Sequence, residues 1–142
     1  MSLTPSDLLC FALYSTSHAM QRAYGPLLDP FGLTYPQYLV LLTLWAEDGQ
    51  PVGQIARALQ LESNTLTPLL KRIETQGLVR RSRSEQDERQ VIVSLTERGR
   101  ALEAELQHVP GCIADVTGMN QPELIALKDR VVALRRALKL QD

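Results

Sequence analysis

The sequence predicts a mainly α-helical fold with one small β-hairpin. Most of the 142 residues lie in segments whose apolar side chains recur every three or four positions, as on one face of a helix. One stretch, about 78–95, changes to a period of two around a charged turn. The composition, with 44% apolar and 22% charged residues, is that of a globular domain and does not support disorder.

Two helices are expected in the N-terminal third. An N-cap expected at Thr4 opens the first, which should end near Tyr24 because Gly25-Pro26 follows. The run Thr34-Tyr35-Pro36-Gln37 forms a capping box that opens a second helix through about residue 47. This second helix is apolar almost all round, so we expect it at the centre of the core.

Two short helices follow, joined by a tight turn over about 60–64. The first has helical spacing at Val52, Ile55, Ala56 and Leu59, and the second at Leu66, Leu69, Leu70 and Ile73. Gly77 is expected to be the left-handed C-cap of the second helix. Pro68 lies inside the second pattern, so that helix is expected to start close to it or to bend there. The pair predicts a helix-turn-helix.

A wing and further helices complete the expected fold. Two strands over about 78–83 and 89–95 form a hairpin directly after the helix-turn-helix, which makes residues 48–100 a winged helix-turn-helix. A helix from Thr96 is interrupted by Pro110-Gly111, a break that should be exposed and mobile. The last helix, about 121–138, repeats an apolar seam too short to be a stable coiled coil alone, at Leu124, Leu127, Val131, Leu134 and Leu138.

Charge is distributed unevenly along a chain whose net charge is only −1. Residues 57–100 carry nine bases against six acids, whereas the segments on either side are net negative. A basic segment of this kind is typical of a surface that binds a polyanion, although a solvated charged face is a commoner origin. The position of the basic segment within the winged helix-turn-helix favours double-stranded DNA over a protein-interaction module.

The predicted DNA contacts fall on the second helix and the wing. Polar residues near the helix N-terminus are placed to contact the edges of DNA bases or phosphates. Two basic residues further along the helix are suited to contact the DNA backbone. These residues are Ser63, Asn64, Thr65, Thr67, Lys71 and Arg72. Wing arginines suit a neighbouring minor groove. They are Arg81, Arg83 and Arg89.

Cys10 and Cys112 are the two cysteines. Cys10 lies in an apolar run, where a small buried hydrophobe is the ordinary role, but Tyr14 is one turn away and its phenol could stabilise a thiolate. Cys112 follows the expected mobile break, so it is either a surface residue or a thiol that resolves an oxidised partner. Residues alone leave both alternatives open.

Several stretches of the sequence resemble those of a known protein family. The matching stretches are 9–14, 33–38, 65–72, the wing residues Asp87-Glu88-Arg89, and 93–96. Together they resemble the MarR family of bacterial repressors, and more narrowly its organic hydroperoxide sensors, OhrR. The resemblance is close over about 7–100 and only a matter of pattern over 101–142.

The resemblance implies a function and several residue roles. A homodimer would hold a near-palindromic operator until an organic hydroperoxide oxidises Cys10 to a sulfenic acid. Tyr24 and Tyr35 would hydrogen-bond its sulfur from both subunits, with Tyr14 and Phe11 lining the pocket. Cys112 resembles the second cysteine of two-cysteine members, which forms a disulfide between subunits. Asp87 would belong to the DNA-binding wing with Arg89. Dimerisation would use about 4–30 and 101–142 of a single domain, 1–142.

Three other interpretations are open from the sequence. A thiol peroxidase would use the same cysteines, although His18 lies about 12 Å along the helix from Cys10, too far to act as its base. A metal sensor could use His108 and Cys112, but too few further ligands exist. A winged-helix repressor could instead be induced by a small aromatic ligand, with Cys10 inert. We expect no cofactor and no enzyme activity.

No segment of the sequence has the features of a membrane protein or an exported one. No apolar run approaches the roughly 18 residues of a membrane-spanning helix, and the first nine residues lack the bases of a signal peptide. A cytoplasmic protein without membrane contact is the expectation.

Overall fold

The computed structural model describes residues 1–139 and divides the chain into two units, which meet between Gln107 and His108. The last three residues of the predicted dimerisation segment 101–142 lie outside the described part. No helix in that part is long and apolar enough to cross a membrane.

The first unit contains five helices and a small sheet. A 3₁₀ turn at Pro5–Asp7 precedes α1, and a second one, Asp29–Phe31, follows it. The helices are α1 (Leu9–Leu28), α2 (Tyr35–Ala46), α3 (Val52–Leu59), α4 (Ser63–Thr75) and α5 (Glu97–Glu105). The strands are β1 (Gln50–Pro51), β2 (Val79–Arg83) and β3 (Val91–Leu95). The predicted mainly α fold with a hairpin wing is confirmed.

Helix α1 differs from the sequence prediction at its C-terminal end. The prediction that Gly25-Pro26 breaks this helix is wrong, because α1 continues through both residues to Leu28. Glycine at position 25 relieves the crowding that a following proline imposes on helical backbone. The helix instead passes directly into the 3₁₀ turn that contains Pro30, and Gly32 ends that turn with φ +67°.

Helix α2 begins and lies as predicted. The Thr34 side chain accepts a hydrogen bond from the Gln37 amide, and the Gln37 side chain accepts one from the Thr34 amide at 3.1 Å. Val40, Leu41 and Leu44 are fully buried, as are Ile55 and Ile73 of the next two helices. Helix α2 therefore forms the centre of the core on which the helix-turn-helix rests.

The sheet has the strand order β1-β3-β2 and is antiparallel throughout. Val79 pairs with Leu95 and Arg83 with Val91, so the two strands form the predicted hairpin. Strand β1 was not predicted, because two residues are too short to show a period and their partners lie about 40 positions later in the chain.

The second unit contains α6 (Val109–Thr117) and α7 (Gln121–Lys139). Helix α7 has no buried residue, and four of its larger apolar side chains are exposed, namely Ile125, Leu127, Val131 and Leu138. An apolar face of this kind on a single protomer is typical of a surface that another chain covers.

Candidate DNA interface and redox site

Helix α4 presents a polar face opposite its core face. Leu66, Leu70 and Ile73 are buried, and they anchor the helix on the first unit. The six polar residues predicted to contact DNA are all exposed on the same helix, namely Ser63, Asn64, Thr65, Thr67, Lys71 and Arg72. The geometry is that of a recognition helix, with its first turn open to a base edge or phosphate.

Pro68 does not mark the start of α4, because the helix begins five residues earlier, at Ser63. The proline is exposed and cannot donate a backbone hydrogen bond. The Thr67 hydroxyl donates to the Ser63 carbonyl at 2.8 Å, so its proton is already used within the helix.

The wing, residues 79–95, ends in a tip that is held by its own hydrogen bonds. The Ser84 hydroxyl oxygen accepts from the amides of Gln86 and Asp87, both at 3.2 Å. Ser84 and Gln90 are joined across the base of the tip by a backbone hydrogen bond of 2.9 Å. These bonds give Arg89 a defined position at the end of the hairpin.

Asp87 orients Arg89. One carboxylate oxygen accepts from the Arg89 amide at 3.1 Å and from its Nε at 3.2 Å. The Arg89 side chain is 92% exposed, so the pair contributes little to stability. The arrangement leaves the outer nitrogens of the guanidinium open to a nucleic-acid acceptor, and Asp87 would act on DNA only through Arg89.

Two of the three arginines of β2, Arg81 and Arg83, are engaged within the protomer. Glu74 at the end of α4 accepts from the Arg81 amide at 3.0 Å and from its guanidinium nitrogens at 3.0 and 3.2 Å. The backbone hydrogen bond first, and then the side-chain one, hold the pKa of the Glu74 carboxyl below its usual value. Arg83 donates to the Glu88 carbonyl at 2.9 Å. Direct DNA contact by Arg81 and Arg83 stays a prediction.

Sequence reasoning missed Arg57. It lies exposed in the last turn of α3 and lines a cleft between α3, α4 and the wing, together with Arg81 and Arg89. Ile55 and Ala56 are buried, so the helical period places Arg57 on the outer face of α3. This apolar spacing could have identified Arg57 from the sequence.

Cys10 lies exposed in the first turn of α1. A shallow, mostly apolar groove surrounds it, lined by Leu3, Thr4, Pro5, Leu8, Phe11 and Tyr14. The protomer thus brings Cys10 together with two of its predicted neighbours, Phe11 and Tyr14. Tyr14 also packs on His18 at a ring distance of 4.3 Å, a contact that sequence reasoning did not predict.

Tyr24 and Tyr35 form a separate aromatic cluster. Their ring centroids are 4.6 Å apart, and Tyr38 lies 5.9 Å from Tyr24. Burial first, and then the neighbouring phenols Tyr35 and Tyr38, raise the pKa of Tyr24 to about 12. Tyr24 and Cys10 lie about 21 Å apart along α1 at a rise of about 1.5 Å per residue. One protomer therefore does not bring this cluster to Cys10.

Cys112 lies within α6 and is half-buried. The predicted helix break lies a few residues earlier, at 106–108 between α5 and α6, because Pro110 occupies the first turn of α6, where a missing amide hydrogen has no cost. Pro110 and Gly111 are exposed, as predicted. The Cys112 amide donates to the His108 carbonyl at 3.1 Å. Within residues 1–139 no three potential metal ligands cluster together.

A buried scaffold, an exposed recognition helix and a wing that projects an arginine define a winged-helix DNA-binding protein. The family model for the transcriptional regulator SarA/Rot matches residues 22–106. The chain belongs to this family of MarR-type winged-helix transcriptional regulators, as the sequence resemblance predicted.

Two curated relatives match most of the chain. The HTH-type transcriptional regulator TtmR of Methylorubrum extorquens is 50% identical over 92% of this chain and 67% of its own length. The organic hydroperoxide resistance transcriptional regulator of Bacillus subtilis is 45% identical over 92% of this chain and 88% of its own. Both are transcriptional regulators rather than enzymes.

Solved structures of AbfR of Staphylococcus epidermidis are similar in fold and sequence. The reduced protein bound to DNA has a TM-score of 0.82 and 40% identity, covering 94% of this chain and 92% of that chain. The disulfide form has a TM-score of 0.63 and 39% identity, covering 94% and 89%.

Proposed function

We propose that this transcriptional regulator is a homodimeric repressor that binds a near-palindromic operator and releases it when an organic hydroperoxide oxidises Cys10. The observation that carries the proposal is the exposed thiol of Cys10 in an apolar groove beside Phe11 and Tyr14. The identity to the Bacillus regulator named for organic hydroperoxide resistance supports the same inducer.

The chemistry at Cys10 is oxygen transfer. The thiolate attacks the terminal oxygen of the hydroperoxide, the O–O bond breaks, and the alcohol leaves after taking up a proton. Cys10 becomes a sulfenic acid, and the peroxide is reduced. Burial of an alkyl or aryl group in an apolar groove is favourable and hydrogen peroxide has no such group, so organic hydroperoxides should react faster than hydrogen peroxide.

Dimerisation is part of the proposal because single-protomer geometry leaves the sensor incomplete. Leu9, Phe11 and Tyr14 of α1 are exposed, and so are three residues of the apolar seam of α7, Leu127, Val131 and Leu138. A second copy of the chain would bury these faces. Tyr24 and Tyr35 of that second copy would then be the ones that reach Cys10. Two recognition helices about 34 Å apart would then fit successive major grooves of a near-palindromic duplex.

Cys112 is the proposed resolving residue. Its thiolate attacks the sulfenic sulfur of Cys10, the S–O bond breaks as the disulfide forms, and the hydroxide that leaves takes up a proton to become water. The existence of a disulfide form of AbfR, at 39% identity, supports a covalent second step. Oxidation would displace the helices that set the spacing of the recognition helices, and the operator would be released.

The deciding experiment is DNA release with matched oxidants. Cumene hydroperoxide and hydrogen peroxide are added separately to the protein bound to a duplex selected from a random pool, and bound DNA is measured by fluorescence anisotropy. Cys10→Ser should bind normally and no longer release DNA, whereas Cys112→Ser should still be oxidised at Cys10. Peroxide-driven release that persists in Cys10→Ser would place the sensor elsewhere.

A non-reducing gel tests the role of Cys112. A disulfide between subunits predicts a covalent dimer that reductant dissolves. A bond within one subunit would leave the band at monomer size but protect both thiols from alkylation. If Cys112 remains fully alkylatable after Cys10 is consumed, the one-cysteine mechanism replaces the two-cysteine one.

A further inference from the structure

The cleft between α3, α4 and the wing contains three arginines that differ in their electrostatic surroundings. It has a volume of about 470 Å³, and its lining includes Arg57, Arg81 and Arg89 with the α4 residues Ser63 and Thr67. Glu74 holds Arg81, and Asp87 holds Arg89. Arg57 has no carboxylate oxygen within 4.0 Å among the residues that the structure describes.

The Arg57 side chain lies back along its own helix. Its Nη1 is 3.5 Å from the place where a Cβ on Gly53 would stand. Gly53 also lines the cleft, so the Arg57 guanidinium lies at the cleft wall. A charged group kept in this position without an internal carboxylate is available to an external anion.

The geometry of B-DNA identifies that anion. The recognition helix fits the major groove, and a wing tip reaches the neighbouring minor groove. A phosphate backbone separates the two grooves, so a protein with one element in each must straddle one strand. The space between α4 and the wing, which is this cleft, is where that strand has to pass.

We infer that the cleft is a site for one phosphodiester of the DNA backbone, in which Arg57 makes the ionic contact. Arg81 in the same cleft is a positioning residue, because its charge is compensated by Glu74 and its backbone amide ties β2 to the end of α4. This inference rests on the proposed DNA binding and adds a residue of α3 to its interface.

Salt dependence separates the two roles. Each phosphate contact adds about 0.9 to the slope of log K against log salt, so Arg57→Gln should lower the slope by about 1.8 in a dimer that contacts both half-sites. Arg81→Gln removes the same formal charge from the same cleft but should leave the slope within about 0.5 of wild type, while it weakens binding through a displaced wing. Arg80→Gln is the matched control, because Arg80 is exposed on the opposite face of β2.

A second measurement locates the phosphate. Methylphosphonate substitution, which removes the charge of one phosphate at a time, is scanned along a duplex selected by the wild-type protein. At one position per half-site, wild type and Arg81→Gln should lose affinity, whereas Arg57→Gln should lose none. Circular dichroism melting of Arg57→Gln should match wild type, because the residue is exposed.

The outcomes distinguish this inference from the proposed function. A wild-type slope in Arg57→Gln, or equal sensitivity of Arg57→Gln and wild type at every phosphate, overturns the assignment of Arg57 while DNA binding stands. A loss of slope in Arg81→Gln as large as in Arg57→Gln overturns the distinction between them. If wild type selects no duplex at all, the proposed DNA-binding function itself fails.

Discussion

Gly99→Ala should be strongly destabilising because the backbone at the start of α5 touches the backbone that leads into the wing. A Cβ on Gly99 would lie 2.0 Å from the carbonyl oxygen of Leu78. Ordinary non-bonded contacts of carbon lie at about 3.5–4.0 Å. The two segments would have to separate by more than about 1 Å to admit one methyl group.

The size of the effect follows from what that separation disturbs. Overpacking costs about 1–3 kcal/mol. Two hydrogen bonds hold these segments in place, from the Thr96 amide to the Leu78 carbonyl at 3.0 Å and from Trp45 Nε1 to the Gly99 carbonyl at 2.9 Å. Each contributes about 1 kcal/mol, and the helix-forming preference of alanine returns up to about 1 kcal/mol. The expected net loss in the free energy of unfolding is about 2–4 kcal/mol.

Urea unfolding at a fixed protein concentration measures this loss, because association changes the apparent stability. Gly111→Ala is the matched control, since that glycine lies in α6 and a Cβ added to it would meet nothing within 4 Å. The control should be neutral or stabilised by up to about 1 kcal/mol. A loss below about 1 kcal/mol for Gly99→Ala would refute the close-approach argument.

Three other predictions follow from local features. Burial raises the pKa of Tyr24 from 10.0 to about 12, so its phenol ionises in the unfolded chain at a lower pH than in the folded one. Its contribution to the free energy of unfolding is therefore fully present below about pH 10 and is lost as the pH rises toward 12. Tyr24→Phe should flatten that decline in urea unfolding across the alkaline range, and an unchanged decline would contradict it. Val131→Glu, at a side chain 40% exposed, should give a folded monomer in sedimentation, whereas Arg136→Glu, on the face of α7 opposite the seam, should stay dimeric. Thr34→Ala should lower the free energy of unfolding by about 0.5–2 kcal/mol, as measured by urea, because it removes the cap of α2.

Local sequence patterns account for the elements whose causes lie within a few residues. The capping box at Thr34, the apolar spacing of α3 and α4 and the alternation of the wing each depend on neighbours within a few residues. The residues proposed to face DNA on α4 followed for the same reason, since the core face of a helix fixes its outer face. The resemblance to a regulator family rested on these same local patterns.

Which side chains meet across the fold is visible only once the chain has folded. Pairing of Glu74 with Arg81 joins α4 to β2, and the contact of Gly99 with Leu78 joins α5 to the residue that leads into the same strand. The uncompensated charge of Arg57 emerged only when α3, α4 and the wing came together around one cleft. Such contacts depend on three-dimensional proximity between residues that no sequence period relates, so composition and spacing carry no information about them.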